Sequence, residues 1–463
     1  MWGIPSVKTL CRQARRLGYK RMALTDTDNL YGLWPFINTC RRMGLEPIIG
    51  AELTDPVTPL RAVCLVKTPE GYANLCQLIS RRHTEAAFSL SARLPEFAKG
   101  LVVLTQNPDL LGTWHGQGVD VAAALPRKPL HRNHPLVTAA RQCRRPLVAT
   151  PGSFFLDSKD HFIHQILRAI DNNTALSRLS ARDMAPTDAL LQSPCHYKQR
   201  FATMPDAVLN SEYIAEKLEF QGPEFGIVMP PMTAQSDQSP TALLLERTLA
   251  GAHKRYETPL PNRVRKRIHY ELGIIEEKRF CEYFLAVQDI VARSSRICGR
   301  GSGAASIVAY CLGITNVCPV KHNLYFGRFL NPGRSDPPDI DVDFAWDERD
   351  DLIAGVLERH RGHAAMVCSQ ILFQPRMAVR EVAKVYGLTD GEIGQVSKRL
   401  PWFFRTSELD QGLLANLRQR PETRHLDFIE PWPEILTLAQ RLIGHPRYLS
   451  VHPGGVVITP DPI

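Results

Sequence analysis

The chain has 463 residues, 44% of them hydrophobic and 22% charged, with a formal charge of +9 and a pI near 9.0. That is the composition of an ordinary soluble globular protein of two or three domains, with a small basic excess that favours polyanionic partners. Eleven cysteines without a Cys-x-x-Cys pair argue for reduced thiols in the cytosol and against a disulfide framework or zinc ribbon, and no signal peptide or membrane-length apolar run is present.

Residues 1 to about 170 alternate helical and strand patterns. Ser6 caps an amphipathic helix to Gly18, and further helices are expected over Leu33 to Met43, Glu70 to Arg82 and Leu136 to Arg144. Strands are expected at Met22 to Thr25, Pro47 to Glu52, Arg61 to Val66, Leu101 to Thr105 and Pro146 to Thr150. Strands alternating with helices predict a parallel sheet or barrel. Residues 175 to 240 read as helix and loop, and the polar stretch from Thr233 to Pro240 suits a linker, with a domain boundary near 235.

A helix is expected from Thr241 to Lys254, then a longer one opened by Arg263-Val-Arg-Lys-Arg and reaching Glu277. Its four cations in five positions fit either a solvated face or contact with nucleic-acid phosphate. The apolar stretch from Phe280 leads to Gly299-Arg-Gly-Ser-Gly-Ala-Ala-Ser306, a glycine-serine loop opening a buried helix that ends at Gly313. Backbone N–H groups at a helix start, unobstructed by side chains, form an anion site, and Arg300 adds a charge suited to phosphate. No Gly-Lys-Ser/Thr follows, so this is not a P-loop. No acidic residue lies about twenty positions on, as a dinucleotide fingerprint requires.

Pro338-Asp-Ile-Asp-Val-Asp-Phe344 reads as a strand with Asp339, Asp341 and Asp343 on one face and Ile340, Val342 and Phe344 on the other. Like charges two residues apart repel, so such a strand needs neutralising, and Mg²⁺ takes one or two carboxylates plus substrate phosphates. Phosphate held by a loop and metal held by a strand imply phosphoryl or nucleotidyl transfer. A tight turn plus an acidic edge strand is the plain alternative for either motif alone.

Two resemblances follow from these residues. Ala23-Leu-Thr-Asp-Thr-Asp-Asn-Leu-Tyr-Gly and Pro47-Ile-Ile-Gly-Ala-Glu resemble the polymerase-and-histidinol-phosphatase (PHP) domain that begins bacterial replicative polymerases. That resemblance implies a (β/α) barrel-like domain over residues 1–235. The family's metal-binding His-x-His would lie upstream of Met1, Thr27 stands where a histidine is usual, and Pro151-Gly-Ser-Phe replaces a later Asn-Asp-x-His. Asp26, Glu52 and His164 remain, with His161 one turn from His164, so the metal is expected to be lost and the domain to serve as a platform.

Tyr283-Phe-Leu, Gly299 to Ser306, Tyr310, Leu312-Gly-Ile-Thr, Arg328-Phe-Leu-Asn-Pro and Pro338 to Phe344, in this order, resemble the palm of a C-family DNA polymerase, the α subunit of bacterial DNA polymerase III. Phe373-Gln-Pro-Arg-Met resembles the accessory, error-prone branch. The fold class implied is multidomain, α/β and α+β: the PHP-type domain, then a polymerase-β-like nucleotidyltransferase palm with a helical thumb insertion. Palm would occupy 236–372, thumb 373–447 and the palm return strand 448–463.

By position, the resemblance implies that Gly301 and Ser302 hold the β- and γ-phosphates with Arg300 nearby, and that Asp339 and Asp341 are the catalytic metal ligands, with Asp343 as a further one. Two Mg²⁺ ions about 4 Å apart would activate the primer 3′-hydroxyl. Arg328 and Lys384 would contact phosphate, Arg376 and Arg380 template or triphosphate, and Lys398 with Arg399 the duplex. The family usually has Glu where Gly327 stands. Thr389-x-x-Glu392 reads as a capping box, and His452 as a loop histidine packing a Gly-Gly turn.

The family's third catalytic aspartate, fingers and clamp-binding segment lie beyond the return strand, so the chain is expected to be a fragment with little polymerase activity alone. Primer–template DNA and dNTPs are the expected partners, with the sliding clamp and other polymerase subunits reached through regions outside this sequence, in the cytoplasm and with no membrane. Two other functions stay open: a PHP-type metal-dependent phosphoesterase, and a non-catalytic DNA-binding or assembly module.

Overall fold

The structure is a computed structural model that describes residues 3–224, 228–230, 238–400, 412–426 and 428–463. Most of the linker expected from Thr233 to Pro240, and the boundary expected near 235, lie outside the described residues. The chain forms two compact units, Met1–Glu224 with Leu372–Arg447, and Phe225–Ile371 with Tyr448–Ile463.

The first unit is built on a six-stranded sheet in sequential order: β1 (Arg21–Thr27), β2 (Glu46–Thr54), β3 (Arg61–Val66), β4 (Leu101–Thr105), β5 (Val121–Leu125) and β6 (Leu147–Ala149). β4 and β5 are buried at every position, because helices cover both faces. Val103, Val121 and Ala123 pack on one side with the helices Pro69–Thr84 and Pro108–Gly116. Val102, Leu104, Ala122 and Ala124 pack on the other with Ile214 and Leu218.

The expectation of a parallel sheet is corrected at its centre, where β2, β3 and β4 pair antiparallel. The connection from β2 to β3 is too short for a crossover helix. It is closed instead by Asp55, whose N–H donates to Leu60 O at 2.9 Å and whose Oδ1 accepts from the N–H groups of Val57 and Thr58.

Residues Phe373 to Leu442 continue the same unit. The helices Pro375–Val385, Asp390–Ser397 and Trp432–Leu442 share one core with Phe155, Ile163, Ile166 and Leu167, around the helix Asp160–Asp171. Arg441 reaches back to Asp160 at 2.6 Å. Thr389 and Glu392 make the expected reciprocal capping box.

In the second unit, the helices Pro240–Arg255, Asn262–Glu277 and Cys281–Val291 surround the short helix Ile307–Cys311 in a core with Phe284, Phe326 and Phe329. Two two-stranded sheets lie here: β7 (Ile297–Arg300) with β8 (Asp341–Phe344), and β9 (Ala364–Leu372) with β10 (Pro446–Ile458). The return strand therefore pairs with β9 rather than with the carboxylate strand. Phe373 N–H donates to His445 O at 2.8 Å and Thr459 N–H to His363 O at 2.8 Å, so β9 and β10 run antiparallel, with the helical segment inserted between them. Among the described residues no helix is long and apolar enough to cross a membrane.

Candidate functional site

The site is set by strand register. β7 pairs antiparallel with β8, placing Arg300 opposite Asp341 and Cys298 opposite Asp343. Gly299, at the middle of β7, is pressed by the backbone at Ile314: a Cβ there would lie 2.2 Å from Ile314 O. Only glycine allows that approach.

After Arg300 the chain turns sharply into a 3₁₀ helix over Gly301–Ala305, and Gly301 takes φ +68°, the left-handed region that side chains disfavour. A Cβ on Gly301 would sit 2.6 Å from Asp341 Oδ2. Loop and acid are thus in direct contact, and the missing side chain is what admits the carboxylate. Gly301 and Ser302 are exposed, while Gly303 and Ala305 are buried.

Strand alternation sorts the acid segment as its sequence requires. Ile340, Val342 and Phe344 pack against the core of this unit, while Asp339 and Asp343 are exposed and Asp341 is half-buried. One bound is corrected: the strand begins at Asp341, so Asp339 lies in the extended segment before it. Tyr283 anchors that segment, donating from its hydroxyl to Pro338 O at 2.9 Å. Burial pushes the Tyr283 phenol up, and Asp339 and Asp341 push it the same way.

Arg300 is paired within the chain. Its Nε lies 3.0 and 2.9 Å from the two carboxylate oxygens of Asp343, and its Nη1 lies 3.7 Å from Asp341. The guanidinium is the counter-charge of the acid strand here, with Asp343 its main partner. Like charges spaced along a strand are neutralised within the chain itself.

The helix start expected to bind phosphate is already filled. Glu271, on the helix Asn262–Glu277, is fully buried, and its Oε2 accepts from Ser306 Oγ at 2.8 Å, Ile307 N–H at 2.8 Å and Val308 N–H at 3.3 Å. Arg267 Nε donates to Oε1 at 2.5 Å. Burial pushes the Glu271 carboxyl up to about 7, against the pull of Arg267 and Ser306. An external anion is thereby left the exposed Gly301–Ser302 turn, not the amides of Ile307 and Val308.

Glu271 went unnoticed in the sequence although it carries a signal. It falls on the apolar stripe Val264, Ile268, Glu271, Ile275, with an arginine one turn earlier. A charge on a buried stripe needs a partner.

The cation run on that helix divides in two. Arg263 donates to Val320 O at 3.0 Å and Arg267 binds Glu271, whereas Arg265 and Lys266 are exposed. Arg328 is exposed in the turn Phe326–Arg328. The remaining candidates belong to the other unit. Arg376, Arg380 and Lys384 share one face of the helix Pro375–Val385 at four-residue spacing, with Val379, Val382 and Ala383 on its buried face. Arg380 lies 3.6 Å from Asp390, Lys384 is exposed, and Lys398 is exposed at the end of the helix Asp390–Ser397. His452 lies within β10 rather than in the loop expected of it, with its Nδ1 accepting from Gly454 N–H at 3.2 Å.

The residues left from the N-terminal metal motif are all engaged by protein groups. Asp26 Oδ2 accepts from Gly32 N–H at 2.8 Å, and burial pushes its carboxyl up. Glu52 accepts from Thr27 Oγ1 at 3.1 Å and faces Arg61 at 3.4 Å. His164 is fully buried with its Nε2 accepting from Ala185 N–H at 2.8 Å, and His161 Nε2 lies 3.0 Å from Ala185 O. Both histidines hold one loop. These residues do not fit a metal centre.

Among the described residues no group of three or more His, Cys, Asp or Glu could hold a metal ion. At the loop the oxygen donor is Asp341, against Gly301 and 3.7 Å from Arg300 Nη1, with Asp339 two residues earlier along the chain. That donor set suits a hard cation that completes its shell with phosphate oxygens.

The family profile for the PHP domain matches residues 1–125, and that for the bacterial DNA polymerase III alpha NTPase domain matches residues 242–463. Proteins named error-prone DNA polymerase are similar along the whole chain. That of Pseudomonas savastanoi pv. phaseolicola is 32% identical over 100% of this chain and 46% of its own length. That of Saccharophagus degradans is 31% identical over 98% and 45%, and that of Bdellovibrio bacteriovorus 29% identical over 100% and 45%. The chain thus spans a little under half the length of these relatives.

Proposed function

Because the chain belongs to the bacterial DNA polymerase III α family, with a PHP domain ahead of its polymerase domain, we propose that the Gly301 loop and the acids Asp339 and Asp341 form the nucleotidyl-transfer site of a DNA-directed DNA polymerase. The observation that carries this is the 2.6 Å between Asp341 Oδ2 and the position a Gly301 Cβ would take. A bare backbone turn and a carboxylate share one space, which is what a metal-bound triphosphate requires.

In this reading the exposed Gly301 and Ser302 amides, with the Ser302 hydroxyl, bind the terminal phosphates of a dNTP. Asp341 and Asp339 hold Mg²⁺, which when bound supplies Lewis-acid stabilisation and lowers the pKa of a primer hydroxyl. Arg300 keeps Asp343 from adding uncompensated charge and stands ready to share its guanidinium with phosphate. Tyr283 fixes the segment carrying Asp339. What the protein contributes to the step is alignment and charge placement.

Arg328 and Arg380 are assigned to the nucleotide, and Arg376, Lys384 and Lys398 to the primer–template backbone. Residues 236–372 with 448–463 act as palm, residues 373–447 as thumb, and residues 1–235 as a PHP platform without catalytic metal. The role follows the error-prone relatives, in the cytoplasm, with a sliding clamp and other polymerase subunits as partners.

The test is binding of a dNTP with Mg²⁺ to the chain on a primer–template. The reading expects saturable, metal-dependent binding that Asp341→Asn abolishes. Binding unchanged in Asp341→Asn would contradict it. Hydrolysis of a phosphoester that survives Asp339→Ala but not Glu52→Ala would instead favour a phosphoesterase. Duplex binding with a steep salt slope, and no dNTP binding, would favour a non-catalytic module.

A further inference from the structure

We propose that Glu271, held by Arg267, is the positioning residue of the glycine loop: it fixes the Ala305–Val308 end and so sets how the Gly301–Ser302 backbone meets a triphosphate. This rests on the reading above that the loop binds phosphate. It goes further by naming which amides do so and what orients them.

Among the described residues, the side-chain hydrogen bonds the pair makes beyond itself end on the loop's far side or on the turn that supports it. Glu271 receives Ser306 Oγ, Ile307 N–H and Val308 N–H, while Arg267 Nη2 donates to Ala305 O and to Leu324 O, each at 3.0 Å. Arg267 also stands over the Phe326 ring, 5.8 Å from its centroid. One helix thereby grips both ends of the Ala305–Val308 junction and the segment leading to Phe326.

A lone buried carboxyl is costly, and three donors from the junction together with Arg267 offset that cost. The helix Ile307–Cys311 is only five residues long, so it cannot hold this attitude by its own length. The Glu271 carboxyl also occupies the place an anion would take. With Ile307 and Val308 N–H occupied, an incoming phosphate is directed to the open turn beside Asp341. Gly301 at φ +68° then presents its amide at an angle that depends on where Ala305 is pinned.

Hydrogen exchange by mass spectrometry on the full chain, paired with dATP binding in Mg²⁺, tests this for Glu271→Gln and Ser306→Ala. The expectation is that exchange over residues 300–308 rises about tenfold or more, as loss of buried hydrogen bonds implies. The helices Pro240–Arg255 and Cys281–Val291 should keep their wild-type rates, and dATP should bind about tenfold more weakly. Glu271→Asp, which keeps a carboxyl, should recover part of both effects. Exchange rising equally in all these helices would mean a merely structural role and overturn the proposal. So would unchanged loop exchange or unchanged dATP affinity. If the wild type binds dATP and the variants bind it equally, the positioning role alone fails. If the wild type binds none, the phosphate reading fails with it. Should Glu271→Gln not fold, Ser306→Ala, which removes one hydroxyl from the same junction, decides the matter on these readouts.

Discussion

Two residues, Gly301 and Asp341, decide whether this molecule has a phosphate-and-metal site. Alanine at 301 would have to take a left-handed conformation costing about 1–2 kcal/mol and would put its Cβ against the Asp341 carboxylate. Gly301→Ala is therefore expected to lower the denaturation midpoint modestly and to displace Asp341, with dNTP binding lost well beyond the stability effect. Full dNTP affinity in that variant would contradict the contact. Asp343→Asn should cost little stability, since its pair with Arg300 is more than half exposed and screened by solvent.

Glu271 sets a pH dependence of definite sign. Its folded-state pKa of about 7 lies above the ordinary 4.5, so the folded protein holds a proton the unfolded chain lacks between those values. The stabilisation is complete below pH 4.5 and is lost as pH rises through 7. A shift of that size corresponds to on the order of 3 kcal/mol. Thermal melting from pH 5 to 8 should show the wild type gaining on Glu271→Gln as pH falls; parallel curves would refute it. Gly301 and the alternating aspartates were legible in the sequence because glycine and strand periodicity are local signals. Their contact was not, because it depends on β7 meeting β8 in one register.

At the scale of elements, the helix Pro375–Val385 carries the clearest nucleic-acid prediction. Each phosphate contact steepens the salt dependence of duplex binding by about 0.9 in the log–log slope. Lys384→Ala and Arg376→Ala should each flatten the slope by about that amount, and Arg380→Ala by less, because Asp390 already competes for its guanidinium. Slopes unchanged in all three would remove this helix from the interface. The helix itself was readable from its 3.6-residue apolar stripe.

β5 was not readable. Val121-Ala-Ala-Ala-Leu has little strand propensity, and only burial between β4 and β6 makes it one. The antiparallel centre of the sheet was missed for a related reason: alternating strands and helices suggest parallel pairing, but strand direction is decided by connection length, and Asp55 closes a hairpin. Strand β9 escaped notice as well, with Cys368, Ser369 and Gln370 exposed in its middle. Without it the return strand had no visible partner.

For the whole molecule, the order of segments was visible but the sharing of cores was not. Residues 373–447 read as a separate helical insertion, yet Val379, Val382 and Leu436 complete a core with Ile163 and Leu167, hundreds of positions earlier. Such sharing leaves no trace in local periodicity, because each helix needs only some apolar partner. The N-terminal motif, conversely, was legible down to its individual residues, and the structure gives each of them a protein partner.

In the proposed site, Asp341 and the Gly301 turn hold one metal-bound triphosphate between them. Manganese binding followed by electron paramagnetic resonance, with and without a non-hydrolysable dNTP, tests it most directly. The account predicts that triphosphate tightens Mn²⁺ binding in the wild type and that Asp341→Asn abolishes the coupling while leaving the melting temperature nearly unchanged. Mn²⁺ and triphosphate binding independently of each other, or a coupling that persists in Asp341→Asn, would contradict it.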